Sequence, residues 1–341
     1  MLPWHASCDV VRMDDQLLRS ATELGPNRFI PEQDAPEAIV CIPTFRRPEG
    51  LAHTLSSLLG QVNAPRFAVV IVDNDAKNRE GLAVARQYLV PGILFGMCVT
   101  EERQGNCHAI NRAFTVARES FPKASYFLMI DDDEIADPNW LANMVRAAKT
   151  NRADIVGGPV VPEFSRAVNK ARKAHPVYNP AYNRSGTVAM IYGSGNCLIH
   201  RSVFERLAEP NFDIRFNFLG GGDMHFFTRC RDLGLSFFWA HEARIRETVP
   251  AERLTTKWII WRGLRIGAIN YRVDAGRQSS IAGWSKVALK NCGLLPLSLM
   301  RAACMLARRT PALVALHPIF VAAGRILAWG GFEPQPYKAE A

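Results

Sequence analysis

Residues 131–134 read Asp-Asp-Asp-Glu, directly after the apolar run Ser125-Tyr-Phe-Leu-Met-Ile130. Carboxylates packed this closely repel one another and lose hydration, so they call for a compensating cation. Hard carboxylate oxygens suit Mg²⁺ or Mn²⁺, and such an ion would also take a diphosphate. A second acidic triplet, Asp73-Asn-Asp75, closes the apolar run Phe67–Val72. An Asp-x-Asp triplet is a weak signal, and a solvated strand end beside a helix-capping Asp137 also accounts for Asp131–Asp133. The apolar strand before that cluster and the turn Asp137-Pro138 after it favour the metal reading. A third carboxylate, Asp223, follows Gly220-Gly-Gly222 and opens a helical stretch. The glycines admit a substrate close to the backbone, and a helix start favours an ionised carboxylate. An ordinary capping aspartate would look the same.

The elements that must position these groups alternate. Apolar runs Ala38–Ile42, Phe67–Val72, Ile93–Val99 and Tyr126–Ile130 read as buried strands. Helical spacing covers Gly50–Leu59, Gly81–Leu89, Cys107–Glu119 and Asn139–Ala148. Strands alternating with helices at this spacing predict an α/β fold with a parallel, doubly wound sheet. Ligands in such sheets sit at the carboxyl ends of the strands. Three of those ends carry polar chemistry: Thr44-Phe-Arg46-Arg47, Asp73-Asn-Asp75 and Asp131-Asp-Asp133. After Asp154 the chain grows richer in Gly, Pro, Tyr and Asn, which suits an acceptor-binding half.

Of 341 residues, 48% are hydrophobic and 21% charged, values of a globular chain. The eight cysteines form no C-x-x-C pair, so buried free thiols in a reducing compartment are expected rather than disulfides or zinc. Met1–Val11 has no apolar h-region, which implies no signal peptide. The net charge of +9 is concentrated. From Ala275 to Phe332 there is no Asp or Glu, while Arg277, Lys286, Lys290, Arg301, Arg308, Arg309 and Arg325 fall there. The segment is also strongly apolar, yet its basic residues interrupt every run short of the roughly 20 residues a bilayer span needs. Basic, apolar and short is the pattern of helices in an anionic membrane interface. A helical subdomain with a basic face is the other reading. No motif or aromatic-interleaved basic stretch points to nucleic acid.

Seven pieces in order give the chain a resemblance to the inverting family 2 glycosyltransferases of GT-A fold, in an exopolysaccharide-biosynthesis-like branch. They are Ile42-Pro43-Thr44-Phe-Arg46, Val72-Asp73-Asn74, Gly105-Asn-Cys-His-Ala-Ile-Asn111, Ile130-Asp-Asp-Asp-Glu134, Gly193-Ser-Gly-Asn-Cys-Leu-Ile-His-Arg201, Gly220-Gly-Gly-Asp223, and Glu247 to Arg253 with Trp258 and Arg262-Gly-Leu-Arg265. The resemblance covers about residues 37–270. It implies a GT-A domain over 36–254, with a nucleotide-sugar half (36–135) and an acceptor half (136–254). An N-terminal extension over 1–35 and a helical, membrane-associating region over 255–341 flank it. Donor binding is implied for Pro43, Thr44, Arg46, Asp73, Asn74, Gly105, Asn111, Asp131 and Asp132. Asp133 with Asp131 is implied for the divalent cation, and Asp223 for the catalytic base. Gly195, Asn196, Gly222, His241, Glu247, Trp258 and Arg262 are the candidates for acceptor or diphosphate. The implied reaction moves a sugar from a nucleotide-diphosphate sugar, a UDP-sugar by family weight, to a glycan or lipid-linked acceptor at the cytoplasmic face of a membrane.

Two positions depart from the family pattern. Ile110 stands where an arginine is usual, with Arg103 and Arg112 at hand to compensate. Gly222 stands where the glutamate of a Glu-Asp pair is usual. These departures keep a sugar-nucleotide-binding protein without transferase activity among the readings. A sugar nucleotidylyltransferase would need a glycine-rich phosphate loop after the first strand, and Ile42-Pro-Thr-Phe-Arg-Arg-Pro48 has no glycine.

Overall fold

A computed structural model describes residues 35–90 and 93–336. The N-terminal extension and Cys8 lie outside the described residues, apart from residue 35. Strands β1 (Ala38–Thr44), β2 (Phe67–Asp73), β3 (Gly96–Thr100) and β4 (Tyr126–Met129) form the parallel half of the main sheet. Helices α1 (Pro48–Leu59), α2 (Glu80–Tyr88) and α3 (Asn106–Ser120) are the crossovers between them. Each helix follows from its apolar spacing. In α1, Pro48 occupies the first turn, where its missing N–H is no loss, and Leu51, Leu55 and Leu58 fall on one buried face.

The chain then makes β5 (Glu134–Ala136), α4 (Trp140–Asn151), β6 (Ile155–Gly157), β7 (Val160–Phe164) and the single turn α5 (Lys170–Lys173). Next come β8 (Gly186–Val188), β9 (Cys197–His200), α6 (Arg201–Arg206), α7 (Gly222–Asp232), β10 (Phe237–Trp239) and β11 (Ile245–Val249). The last three helices are α8 (Thr256–Ala275), α9 (Ile281–Ala307) and α10 (Ala312–Trp329).

Eight strands line up as β3-β2-β1-β4-β9-β6-β10-β8, and β5-β11-β7 form a second, small sheet. The main sheet is mixed rather than parallel throughout. β9 runs antiparallel to both β4 and β6, and β8 antiparallel to β10. β9 arrives after the long excursion of residues 165–196, whose α-helix is the single turn α5, and not by the helical crossover that parallel neighbours require. The sheet splits the core in two. Ile39, Cys41, Val70 and Val72 pack with α3, α6, α7 and α8, while Val40, Ile42, Val69 and Ile71 pack with α1, α2 and α4. Ala268, Ile269 and Val273 of α8 belong to the first of these clusters. Packing is continuous across residue 255: α8 shares the core of the sheet domain, and Ala328 of α10 packs against the same cluster.

Five of the described cysteines are buried free thiols (Cys41, Cys98, Cys107, Cys197 and Cys230), while Cys292 and Cys304 are exposed on α9.

Candidate active site

The parallel register sets the site. Thr44 lies opposite Asp73, and Asp73 opposite Thr100, so the polar ends of β1, β2 and β3 form one edge. β4 ends beside them and delivers Asp131–Glu134. The turn is held from α1: Thr54 Oγ1 donates to the Glu134 carbonyl at 2.7 Å, and a Cβ at Gly50 would press on the Asp132 carbonyl at 2.5 Å.

The four carboxylates divide into roles. Asp132 is buried and ties the turn to β1, accepting from Thr44 Oγ1 at 2.8 Å and from the Phe45 N–H at 3.3 Å. Arg47 reaches across with one nitrogen, 3.1 Å from Asp132 and 2.6 Å from Asp133. The compensating cation that the acidic cluster calls for is, on the protein's own side, this guanidinium, and Asp133 raises the Arg47 pKa despite partial burial. Asp131 and Glu134 are left without such a partner. The Glu134 carboxyl accepts the Asp131 N–H at 2.7 Å and is itself buried. Strand pairing sets Glu247 of β11 directly opposite Glu134 of β5, a like-charge pair that disfavours ionisation of both. Burial, then Asp133 and Asp132, push the Asp131 pKa up to about 8. Burial also raises Glu134 well above the carboxylate range, with Asp131 adding to it, and raises Glu247 against the pull of Arg253 at 2.6 Å. The side chains leave no room for a larger residue at Gly195, whose Cβ would lie 2.7 Å from Glu134 and 3.0 Å from Asp131.

Asp223 sits in the first turn of α7. Gly221 before it has φ +90°, and a Cβ there would run into Ile269 of α8. Burial raises the Asp223 pKa, opposed by backbone N–H groups, including that of Gly193, and by Arg265. Asp131 and Asp223 are both largely enclosed yet keep contact with solvent. They share a neighbourhood, since the buried Cys197 thiol at the start of β9 is pushed up by burial and then by Asp223, Asp131 and Glu134. A small pocket beside Asp223 is lined by Cys107, Ile110, Ser194, Phe212 and Phe216.

The two departures from the family pattern have a steric logic. A Cβ at Gly222 would lie 2.7 Å from Cys107 Sγ and 3.3 Å from Phe212, so a glutamate has no space there. Ile110 is buried and lines the pocket beneath Asp223. Of the two arginines named as substitutes for the missing cation, Arg103 is forked onto Glu101 at 2.9 Å.

Several expected ligand groups are bonded to the protein itself. Asp73 is fully buried, accepting from the Asp75 N–H at 3.0 Å and the Leu82 N–H at 2.9 Å. Asn74 donates to the carbonyls of Glu101 and Arg103, both at 2.9 Å, and accepts from the Gly105 N–H at 2.8 Å. Arg46, at φ +54°, pairs with Asp75 at 2.8 Å. Asn111 grips the Phe212 backbone twice, at 2.8 and 2.7 Å, and so positions the segment leading to Asp223. Asn217, which no motif marks, caps α3 by accepting from the N–H groups of Cys107 and His108. Pro43 completes β1 beside Thr44.

The remaining acceptor-side candidates are dispersed. His241 donates its backbone N–H to Ser185 Oγ at 2.8 Å. Trp258 stacks on Tyr178 with centroids 6.0 Å apart, and Arg262 is half-buried on α8. Asn196 is buried and fully bonded: it accepts from Trp140 Nε1 at 2.8 Å and donates to the Pro159 and Ala243 carbonyls at 3.0 and 2.9 Å. Asn196→Ala should therefore cost about 3 kcal/mol of stability, since it orphans three buried groups at about 1–3 kcal/mol each with partial rescue by water. Urea unfolding checks this, and an unchanged midpoint with impaired acceptor kinetics would make Asn196 a ligand instead.

Among the described residues, no three His, Cys, Asp or Glu side chains converge as a ready-made metal cage. A divalent ion bound through one or two carboxylates, with water and phosphate oxygens completing its shell, needs no such cage. Asp131 and Asp133 fit that role as oxygen donors two residues apart in one turn, and burial resists the ionisation of Asp131.

Comparison with known proteins gives the family and the fold. The family model for "Glycosyl transferase family 2" matches residues 39–208, and that for "Glycosyl transferase family group 2" matches residues 126–326. The chain is 27% identical over 258 residues to the succinoglycan biosynthesis protein ExoM of Rhizobium meliloti (strain 1021), covering 72% of this chain and 78% of that one. It is 26% identical over 239 residues to the O-antigen biosynthesis protein RfbC of Myxococcus xanthus, covering 65% of this chain but only 18% of that larger protein. Its fold is similar to that of the mannosyltransferase PcManGT from Pyrobaculum calidifontis, solved in complex with GDP-Man and Mn2+. The TM-score is 0.57 at 21% identity, over 92% of each chain. The chain belongs to the family 2 glycosyltransferases and is a glycosyltransferase with a GT-A-like fold.

Proposed function

We propose that the protein transfers a sugar, with inversion, from a nucleoside-diphosphate sugar to a glycan or lipid-linked acceptor in polysaccharide biosynthesis. What supports this is Asp223 at a helix start, with its carboxyl pKa raised, linked to Asp131 through the Gly193–Gly195 segment, whose Gly193 N–H meets Asp223 and whose Gly195 lies against Asp131. A base with a raised pKa takes a proton from an acceptor hydroxyl more effectively than an ordinary aspartate. It must still be ionised to act, so activity should rise with pH through a value above the usual 3.8 of an aspartate. Asp223 would receive the proton as the acceptor oxygen attacks the anomeric carbon and the diphosphate departs from the opposite face.

A divalent cation held by Asp131 and Asp133 would supply neutralisation of the charge that grows on the diphosphate. Arg47, already against Asp133, is placed to pass its guanidinium from carboxylate to phosphate when a donor arrives. Thr44, Arg46 and the Asp73–Asp75 edge would frame the nucleotide, with Asp73 and Asn74 shaping the loop through the bonds above. The names of ExoM and RfbC support a polysaccharide product, and the basic tail supports an acceptor at the cytoplasmic face of a membrane.

The test is a panel of UDP- and GDP-sugars, each with Mn²⁺, Mg²⁺ or chelator. One donor should be hydrolysed or transferred only with the ion present, and transfer from an α-linked donor should yield a β-glycoside by NMR. Transfer unaffected by chelator would overturn the metal role, and a retained configuration would overturn Asp223 as an inverting base.

A further inference from the structure

We infer that α9 and α10 form a hairpin lying in the plane of an anionic lipid surface, with the outward face of α9 sunk into the leaflet. The burial pattern of α9 is inverted relative to a helix packed in a water-soluble protein. Its inward residues are Gly283, Val287, Asn291, Ser298 and Ala302, mostly small or polar. Its outward residues are the large apolar ones: Ile281 is 87% exposed, Leu289 75% and Met300 60%, and Trp284, Leu297 and Leu299 are exposed with them. A helix surrounded by water puts such residues inside; only an apolar medium rewards this arrangement.

The contacts that hold the hairpin to the sheet domain are also those of helices in lipid, where small residues and polar bonds do the packing. On α8, Gly263 and Gly267 face α10, and a Cβ at Gly267 would run into the Val321 carbonyl. A Cβ at Gly324 would run into the Leu264 carbonyl in return. Beside this close approach the buried Arg325 of α10 binds Asp274 of α8 at 2.8 Å and Asn291 of α9 at 2.9 Å. Lys290 joins the same carboxylate at 2.7 Å.

Charge selects the occupant. Lys286 and Arg301, fifteen residues apart, fall along one edge of the apolar face, where their stems can lie on lipid while their charges reach headgroups. Between Ala275 and Phe332 no carboxylate opposes them. The orientation follows from the turn. Arg308 and Arg309 are exposed at the tip of the hairpin, and a hairpin driven perpendicular into the bilayer would have to carry both through the hydrocarbon. Ala312–Trp329 is long and apolar enough to cross a membrane by composition. Its inner face is committed to α8, however, through Gly324 and Arg325. An in-plane seat satisfies both helices. It also fixes the sheet domain against the membrane through α8, whose Ile269 packs on the glycine turn before Asp223.

The inference extends the proposed membrane-proximal acceptor but does not depend on the transfer reaction. The experiment is flotation of the full chain with vesicles of phosphatidylcholine, alone or with roughly a third phosphatidylglycerol. The chain should float with both and more strongly with the anionic set. Leu289→Glu combined with Met300→Glu should weaken partition about ten-fold or more, since two large apolar side chains leave the leaflet. Lys286→Glu combined with Arg301→Glu should abolish the preference for anionic vesicles alone. Both variants should keep the circular dichroism melt and the nucleotide binding of the parent. Failure of the parent to float, or variants that float as it does, would overturn the inference. So would a detergent-free dimer that the Leu289→Glu, Met300→Glu variant dissociates. Intact donor turnover in a chain that ignores vesicles would overturn this inference and leave the proposed transfer standing.

Discussion

Asp223→Asn should lower kcat for sugar transfer by about 10³-fold, within the 10²–10⁴-fold range of a positioned general base, with KM for the donor little changed. The amide keeps the size of the carboxylate and the place at the start of α7, and its one oxygen can still accept from the backbone N–H groups there. It cannot take a proton. A burial-raised pKa also means that the wild-type residue destabilises the fold when it ionises. The folded chain holds the proton more tightly than the unfolded one, so its contribution to stability declines as pH rises above the usual aspartate value. The neutral variant should therefore be at least as stable as the parent at pH 7–8. A dead, fully folded, donor-binding enzyme is the expected phenotype. Loss of melting temperature together with activity would make Asp223 a structural cap, and near-normal turnover would remove it from the reaction.

The sequence revealed the site unevenly, for physical reasons. Buried strands of a parallel sheet need apolar residues on both faces, so β1, β2 and β4 stand out as unbroken runs, and the polar residues that end them mark the sheet's carboxyl edge. That logic located Thr44, Asp73 and Asp131–Asp133 without a structure. It fails for β9, whose four residues give no sign of direction and which pairs antiparallel on both sides. Asparagines were the least legible. An amide serves a ligand or a backbone equally well, and only the fold shows that Asn74, Asn111 and Asn196 are spent on loops and strands. Glu134 reads in sequence as a fourth member of the acidic turn. The small sheet that sets it against Glu247 forms between segments over a hundred residues apart, which no local pattern encodes. Gly222 reads as a missing glutamate, whereas the Cys107 sulfur explains it as a space constraint. Hydropathy alone marks the tail as apolar and basic; the inversion of α9 needs the burial of each residue.

Asp131→Asn and Asp133→Asn should both reduce transfer by about 10²-fold or more, because each removes an oxygen anion proposed to hold the cation on the diphosphate. They should part company in stability. The Asp131 pKa rises from an ordinary 3.8 to about 8, through burial first and then through Asp133, Asp132 and Glu247. Between those two values the folded chain carries a proton that the unfolded chain has lost, so stability falls as pH climbs from about 4 to about 8. Asparagine removes that slope. At pH 8 without divalent cation, Asp131→Asn should melt about 3–5 °C above the parent, the shift expected for about 1–2 kcal/mol of relieved repulsion. At pH 5 the two should melt together. Asp133 is about one-third exposed and paired with Arg47 at 2.6 Å, a contact of the surface kind. Its replacement should change stability by under about 1 kcal/mol at either pH. Millimolar Mn²⁺ should raise the parent's melting temperature at pH 8 by binding only the folded chain, and should do so much less in both variants. If Asp131→Asn melts below the parent at pH 8, the carboxyl is an ordinary structural acceptor. If Mn²⁺ stabilises parent and variants alike, the acidic turn is not where the cation binds. The conjunction to be tested is that a carboxyl the fold resists ionising is one the reaction needs ionised, with the incoming cation relieving the conflict.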